Sequence, residues 1–204
     1  MAHETITINR PEQWVSSAAD DQWRARITSR AHEVLRLSDQ GDPQAILDSL
    51  LDDFAAAYAG GVAWYALGIG AVRGQQYVVE ARATWVQLAQ PTTADELLAD
   101  LAAQVDPAQY GTEFTLVSSP IGDAVVSHEY LTSDEDDGQF VQERHAYSFV
   151  RGDRVLLLDA RCDVAGLYGE WGLELERLAL SLRATEHANG GDVIVELAPE
   201  GVAP

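Results

Sequence analysis

Residues 140–162 read FVQERHAYSFVRGDRVLLLDARC, and the fold turns on how this stretch pairs. Two strand-like runs, 140–150 and 154–162, flank Arg151-Gly152-Asp153, a connection too short to allow anything but antiparallel pairing. Upstream, 113–118 and 124–131 have the same character and are joined by Pro120-Ile121-Gly122-Asp123. An acidic stretch, Thr132-Ser133-Asp134-Glu135-Asp136-Asp137-Gly138, links the second run to the third. Four strands in succession predict a meander.

Pairing follows from the turns. A tight turn at 151–153 sets Val150 opposite Arg154, so Glu143 faces Arg161 and His145 faces Asp159. Symmetric closure of the acidic loop sets Leu131 opposite Phe140, His128 opposite Glu143 and Val126 opposite His145. Side chains alternate between the two sides of a sheet. One side then holds Phe140, Ala146, Ser148, Val150, Leu156, Leu158, Ala160 and Cys162, mostly core. The other gathers Val126, His128, Tyr130, Glu143, His145, Tyr147, Asp159 and Arg161. Three readings of that second side stand open. It is a set of cross-strand ion pairs without further role, a recognition surface for a peptide or protein, or a metal or acid–base site. A bulge at Gly138 would turn His128 away from His145.

The acidic loop itself does not match a calcium-binding EF-hand. Counted from Thr132, Asp134, Asp136 and Glu143 fall at positions 3, 5 and 12, but Asp137 occupies the sixth place, where glycine is needed. The flanks alternate like strands, and Asp137-Gly138 is a hairpin signal. A solvated turn is the reading adopted, with adventitious calcium as the alternative.

Towards the N-terminus, 5–9 (TITIN) alternates as a short strand. Trp23, Ile27, Ala31 and Val34 then recur at helical spacing after Asp20-Asp21. Asp42-Pro43 is an N-cap with proline at the first helical position, and Ile46, Leu47, Leu50, Leu51, Phe54 and Tyr58 form the broad apolar stripe of a second helix. Gly60-Gly61 ends it. Residues 62–72 and 77–88 read as strands around Arg73-Gly74. Thr93 and Glu96 have capping-box spacing before Leu97, Leu98, Leu101 and Val105, and Asp106-Pro107 stops that helix. After the meander, Asp163 caps a last helix lined by Leu167, Trp171, Leu175, Leu178 and Leu182. Trp64 and Tyr65 are adjacent and must face opposite sides, one of them adding to an apolar patch if its side lacks a helix. Gly166, Gly169 and Gly172 give room for close helix packing. Cys162 falls on the core side and reads as a buried structural thiol. The class is α+β: a twisted, mostly antiparallel sheet with helices packed on it. Residues 1–184 form one domain. Residues 185–204 form an acidic tail that is mobile or adds an edge strand over 193–197.

Three segments carry a family resemblance: the opening strand running into PEQW (11–14), VSSPIGDAVVSHEY (117–130), and YSFVRGDRVLLLDARCD (147–163). They resemble the Mog1/PsbP-like α/β/α sandwich. The resemblance implies a binding fold, used in photosystem subunits, a nuclear-transport cofactor and secretion adaptors, and implies no catalytic residue set.

Composition narrows the partner. In 204 residues, 33 acids stand against 13 basic side chains, for a net charge of −20. Such a field disfavours nucleic acid and anionic membranes. Every one of the 13 basic residues is arginine, which excludes lysine chemistry and which a GC-rich genome would also produce. A single cysteine excludes an intrachain disulfide. The first 13 residues lack a signal-peptide core, so the expected location is the cytoplasm. No cofactor or metal is expected. The reading is a non-enzymatic binding module, an adaptor, secretion chaperone or immunity-like partner. It would hold a protein or peptide of basic and apolar character through His128, Tyr130, Glu143, His145, Tyr147, Asp159 and Arg161 with the acidic hairpin residues Asp134, Asp136 and Asp137. The alternatives are a small-ligand or metal-dependent enzyme on the same His/Glu/Asp/Arg cluster, and a structural or assembly subunit. Oligomeric state has no signal in the sequence.

Overall fold

The structure is a computed structural model that describes residues 5–8, 14–34, 42–73, 75–105, 111–135, 138–184 and 192–195. In chain order the elements are β1 (Thr5–Ile8), β2 (Trp14–Ala18), α1 (Trp23–Val34), α2 (Pro43–Ala59), β3 (Trp64–Val72), β4 (Gln75–Gln87) and α3 (Ala94–Gln104). There follow β5 (Glu113–Ser119), β6 (Gly122–Glu135), β7 (Gly138–Arg151), β8 (Arg154–Cys162), α4 (Tyr168–Ser181), β9 (Arg183–Ala184) and β10 (Asp192–Val195).

The helix signals act as expected for α2 and α3. Asp42 accepts a hydrogen bond from the Gln44 amide at 3.0 Å, and Pro43 opens α2. Thr93 and Glu96 close a reciprocal capping box at the start of α3. α4 starts differently. Its N-cap is Leu167, without a side-chain bond, and Asp163 instead accepts from the Val78 amide at 2.8 Å, tying the end of β8 to β4. The 106–107 stop lies outside the described residues.

Seven strands form one antiparallel sheet in the order β2-β3-β4-β8-β7-β6-β5. The chain order inside it is broken once, where β8 inserts between β4 and β7. A second sheet, β10-β1-β9, contributes Ile6 and Ile8 to the core. Its strand β10 falls on the expected tail strand, beginning one residue earlier. α4 and Ile6/Ile8 pack against one side of the large sheet, around Trp64, Leu158, Phe149 and Trp171. α1 and α2 pack against the other side, around Val15, Phe54 and Tyr65. α3 stands on that second side, over β5 and β6. The result is an α+β fold whose central sheet carries helices on both sides.

Register corrects the sequence reading. Val150 pairs with Val155 and Arg151 with Arg154, not Val150 with Arg154. The β7–β8 turn therefore has two residues, Gly152 and Asp153, and Gly152 sits at φ 70°, a conformation glycine adopts without strain. A slip of one residue moves every side chain to the opposite side. Between β6 and β7 the observed pairs are Val126–Tyr147, His128–His145 and Tyr130–Glu143, two places from the expected ones, so sides are preserved there. Glu135 pairs with Gly138, while Asp136 and Asp137 lie outside the described residues.

The expected single cluster is thus divided. His128, Tyr130, Glu143, His145 and Tyr147 lie on the α4 side, in line with Leu158, Ala160 and Cys162. Asp159 and Arg161 lie on the α1/α2/α3 side with Arg144 and Ala146. The expected core set divides as well: Leu156, Leu158, Ala160 and Cys162 stay together, whereas Ala146, Ser148 and Val150 lie across the sheet from them. Trp64 and Tyr65 do face opposite sides, but both are buried, Tyr65 against Phe54 of α2, so neither adds to a patch.

Candidate functional site

On the α4 side the residues form a largely covered polar junction. Glu143 is 1% exposed, and both its oxygens are engaged. Oε2 accepts from the amides of Gly166 and Leu167, at 3.1 Å each, and His128 Nε2 lies 2.8 Å from Oε1. These bonds fix the loop that leads into α4. His145 stacks on Tyr168 of α4, with ring centroids 4.5 Å apart, and its Nε2 is 3.3 Å from the Tyr168 hydroxyl. Its Nδ1 is buried without a hydrogen-bond partner. Burial, and then the neighbouring His128, lower the His145 pKa to about 4, so the ring is neutral at physiological pH. Burial likewise raises the Tyr147 phenol above its ordinary range, and pushes the Cys162 thiol up to about 11. A thiol in that state is a packing group, as its full burial indicates.

Gly172 has a role other than close packing on the sheet. A Cβ there would fall 2.2 Å from the Tyr168 ring, so glycine leaves the space that Tyr168 occupies beside His145. Only Tyr130 of this group is largely exposed, with its ring against His128. The carboxylate is saturated, His145 faces the protein interior, and among the described residues no three His, Cys, Asp or Glu side chains converge on a metal position.

On the opposite side, Asp159 is 3% exposed and sits among three guanidinium groups. Arg144 Nε donates to it at 2.6 Å, Arg82 Nη2 at 3.2 Å and Arg161 Nη2 at 3.4 Å. Arg144 also donates to Glu129. The chain of charges crosses β4, β8, β7 and β6 in turn. A buried carboxylate paired this way is costly to strand, whatever its net contribution to stability.

Beside this network lies an apolar groove between α2 and the sheet. Ile46 and Leu50 form its helical wall; Leu67, Ile69 and Val78 form its floor. Ile69 and Val78 are 46% and 39% exposed, large apolar side chains on a sheet that is otherwise covered here. α2 carries Asp48, Asp52 and Asp53 and no basic residue. Partial burial, then the charge of Asp52, raises the Asp53 carboxyl above its ordinary value. The groove therefore has an apolar floor and an acidic edge at Asp53, beside Asp52.

Sequence reasoning named Glu143, His145, Asp159 and Arg161 but missed Arg82, Glu129, Arg144 and Tyr168, which complete their contacts, and missed the groove. Arg144 and His145 are neighbours in a strand, so polar groups had to occupy both sides of β7; that was the available signal. The acidic hairpin residues Asp136 and Asp137 lie outside the described residues, as does the Asp134 side chain. No helix among the described residues is long and apolar enough to cross a membrane. No protein-family model matches this chain, and no curated protein matches it.

Proposed function

We propose that this chain is a non-enzymatic protein-binding module, and that its binding surface is the acidic-rimmed groove between α2 and strands β3 and β4. The sheet side under α4 is filled by α4 itself. The observation that carries the reading is the exposure of Ile69 and Val78 at 46% and 39% in a groove that Asp53 lines, with Asp52 next to it on α2. A complementary partner presents apolar side chains to the floor and arginine or lysine to Asp53 and its neighbour Asp52. The net charge of −20 steers such a partner towards the chain. The resemblance to Mog1/PsbP-like proteins, whose fold is used for binding, supports the same reading.

A photoreactive amino acid at Ile69, in the cell that makes the protein, tests it. The expected product is one dominant cross-linked partner. It disappears when Val78 is replaced by Asp or when Asp52 and Asp53 are both replaced by Asn, and it weakens as salt rises. The same probe at Leu173, which is 59% exposed on the outer side of α4, serves as the control. Equal capture from both positions, or capture indifferent to the Asp replacements, refutes the proposal.

A further inference from the structure

α3 is a well-capped amphipathic helix that buries none of its residues. Leu97 and Leu101 point at the sheet, yet a cavity of about 370 Å³ separates them from it. The facing wall is Val86, Phe114, Ala146 and Leu157, and Val86 is itself exposed. Two apolar surfaces that face each other across a gap are ordinarily closed by packing. Here the helix is held off the sheet instead. The cavity also reaches the charged pair Arg144 and Glu129.

We infer that this cavity is a binding site for a small, neutral, aliphatic molecule with a hydroxyl or primary-amide head. Size, lining and charge define that class. The volume falls near the lower end of small-molecule sites, about 300–1,000 Å³, which suits a chain of about ten carbons with its head. Val86, Leu88, Leu97, Leu101, Phe114, Val155 and Leu157 make the greater part of the wall apolar, and Gln104, Thr112, Ser127 and Ser148 add neutral polar groups to it. At the polar end, Arg144 offers donors and Glu129 accepts. A group that both donates and accepts satisfies the two together. A carboxylate head would meet Glu129 and a net charge of −20, and an ammonium head would meet Arg144. The site lies under α3, apart from the α2 groove, so its failure and the failure of the docking reading are separate results.

Amide spectra of the ¹⁵N-labelled protein, titrated with decan-1-ol, decanamide and decanoate, test the inference. Decan-1-ol and decanamide are expected to give saturable shifts confined to 86–88, 97–105, 112–114, 127–129, 144–148 and 155–157, with decanoate at least ten-fold weaker. Leu101→Trp fills the cavity from the helix side and should abolish the shifts; Leu101 is only half-buried, so the variant folds. Glu129→Gln keeps a polar partner for Arg144 but removes the negative charge, and should narrow the ten-fold preference. No saturable shift up to the solubility limit of decan-1-ol overturns the site. Tighter binding of decanoate, or a preference unchanged in Glu129→Gln, overturns the assignment of a neutral head.

Discussion

Acidification should weaken this protein through one ring. His145 lies under α4, faced by His128 from β6, by Glu143 and Tyr147 from its own strand, and by Tyr168 from α4. Burial is the larger cause of its lowered pKa and the neighbouring His128 the second. In the unfolded chain the ring takes a proton below pH 6.5, and in the folded protein only below about 4. Between those values the unfolded state binds more protons, so stability falls as pH falls. The contribution is complete above 6.5 and gone by about 4. At about 1.4 kcal/mol per pKa unit, the difference amounts to roughly 3 kcal/mol, a large share of a typical domain's stability. The assay is urea unfolding, followed by tryptophan fluorescence, at half-unit steps from pH 7.5 to 4.5. Wild type is compared with His145→Phe, which keeps a ring against Tyr168 and cannot titrate. Carboxylates titrate in both proteins, so the quantity read is the difference between the two curves. That difference should change by about 3 kcal/mol across the window, in favour of the variant at low pH. Parallel curves would refute the reasoning, as would an NMR titration giving His145 an ordinary midpoint.

Two further substitutions probe the two sides of the sheet. Asp159→Asn leaves Arg82, Arg144 and Arg161 around a neutral amide and should cost about 3 kcal/mol in urea unfolding; a loss below 1 kcal/mol would mean that the network is solvated and weak. Gly172→Ala places a methyl group against the Tyr168 ring. The ring should leave its stack on His145, at a cost of roughly 1–3 kcal/mol, and the His145 midpoint should rise. An unchanged midpoint would show that Tyr168 does not shield His145.

Where one side of an element is buried and the other wet, the sequence announced it. Asp42-Pro43 ahead of the Leu47, Leu50, Phe54 stripe located α2 to the residue, and Thr93 with Glu96 did the same for α3. β2 was invisible because both its sides are covered. Trp14-Val15-Ser16-Ser17-Ala18 is buried throughout, so no alternation marks it. The candidate site failed on a single turn. A two-residue and a three-residue link at Gly152 are equally plausible from composition, yet they place Asp159 on opposite sides of the sheet. β8 could not arbitrate, because Val155, Leu156, Leu158 and Ala160 are buried on both sides. Contacts from Arg82 and Tyr168 depend on strand order and helix placement, which local spacing does not encode.

The insertion of β8 between β4 and β7 has a consequence for how the chain is made. Until residue 162 has been synthesised, the sheet exists as two separate ribbons, β2-β3-β4 and β5-β6-β7, each with a naked edge where β8 will go. Unpaired edges of that kind invite pairing with other chains. β8 acts as the keystone, and a nascent or prematurely terminated chain that ends before it is the form most exposed to aggregation. Arg82, Asp159 and Arg144 sit one on each of the three strands that meet there, so their charges come together only when the last ribbon is laid.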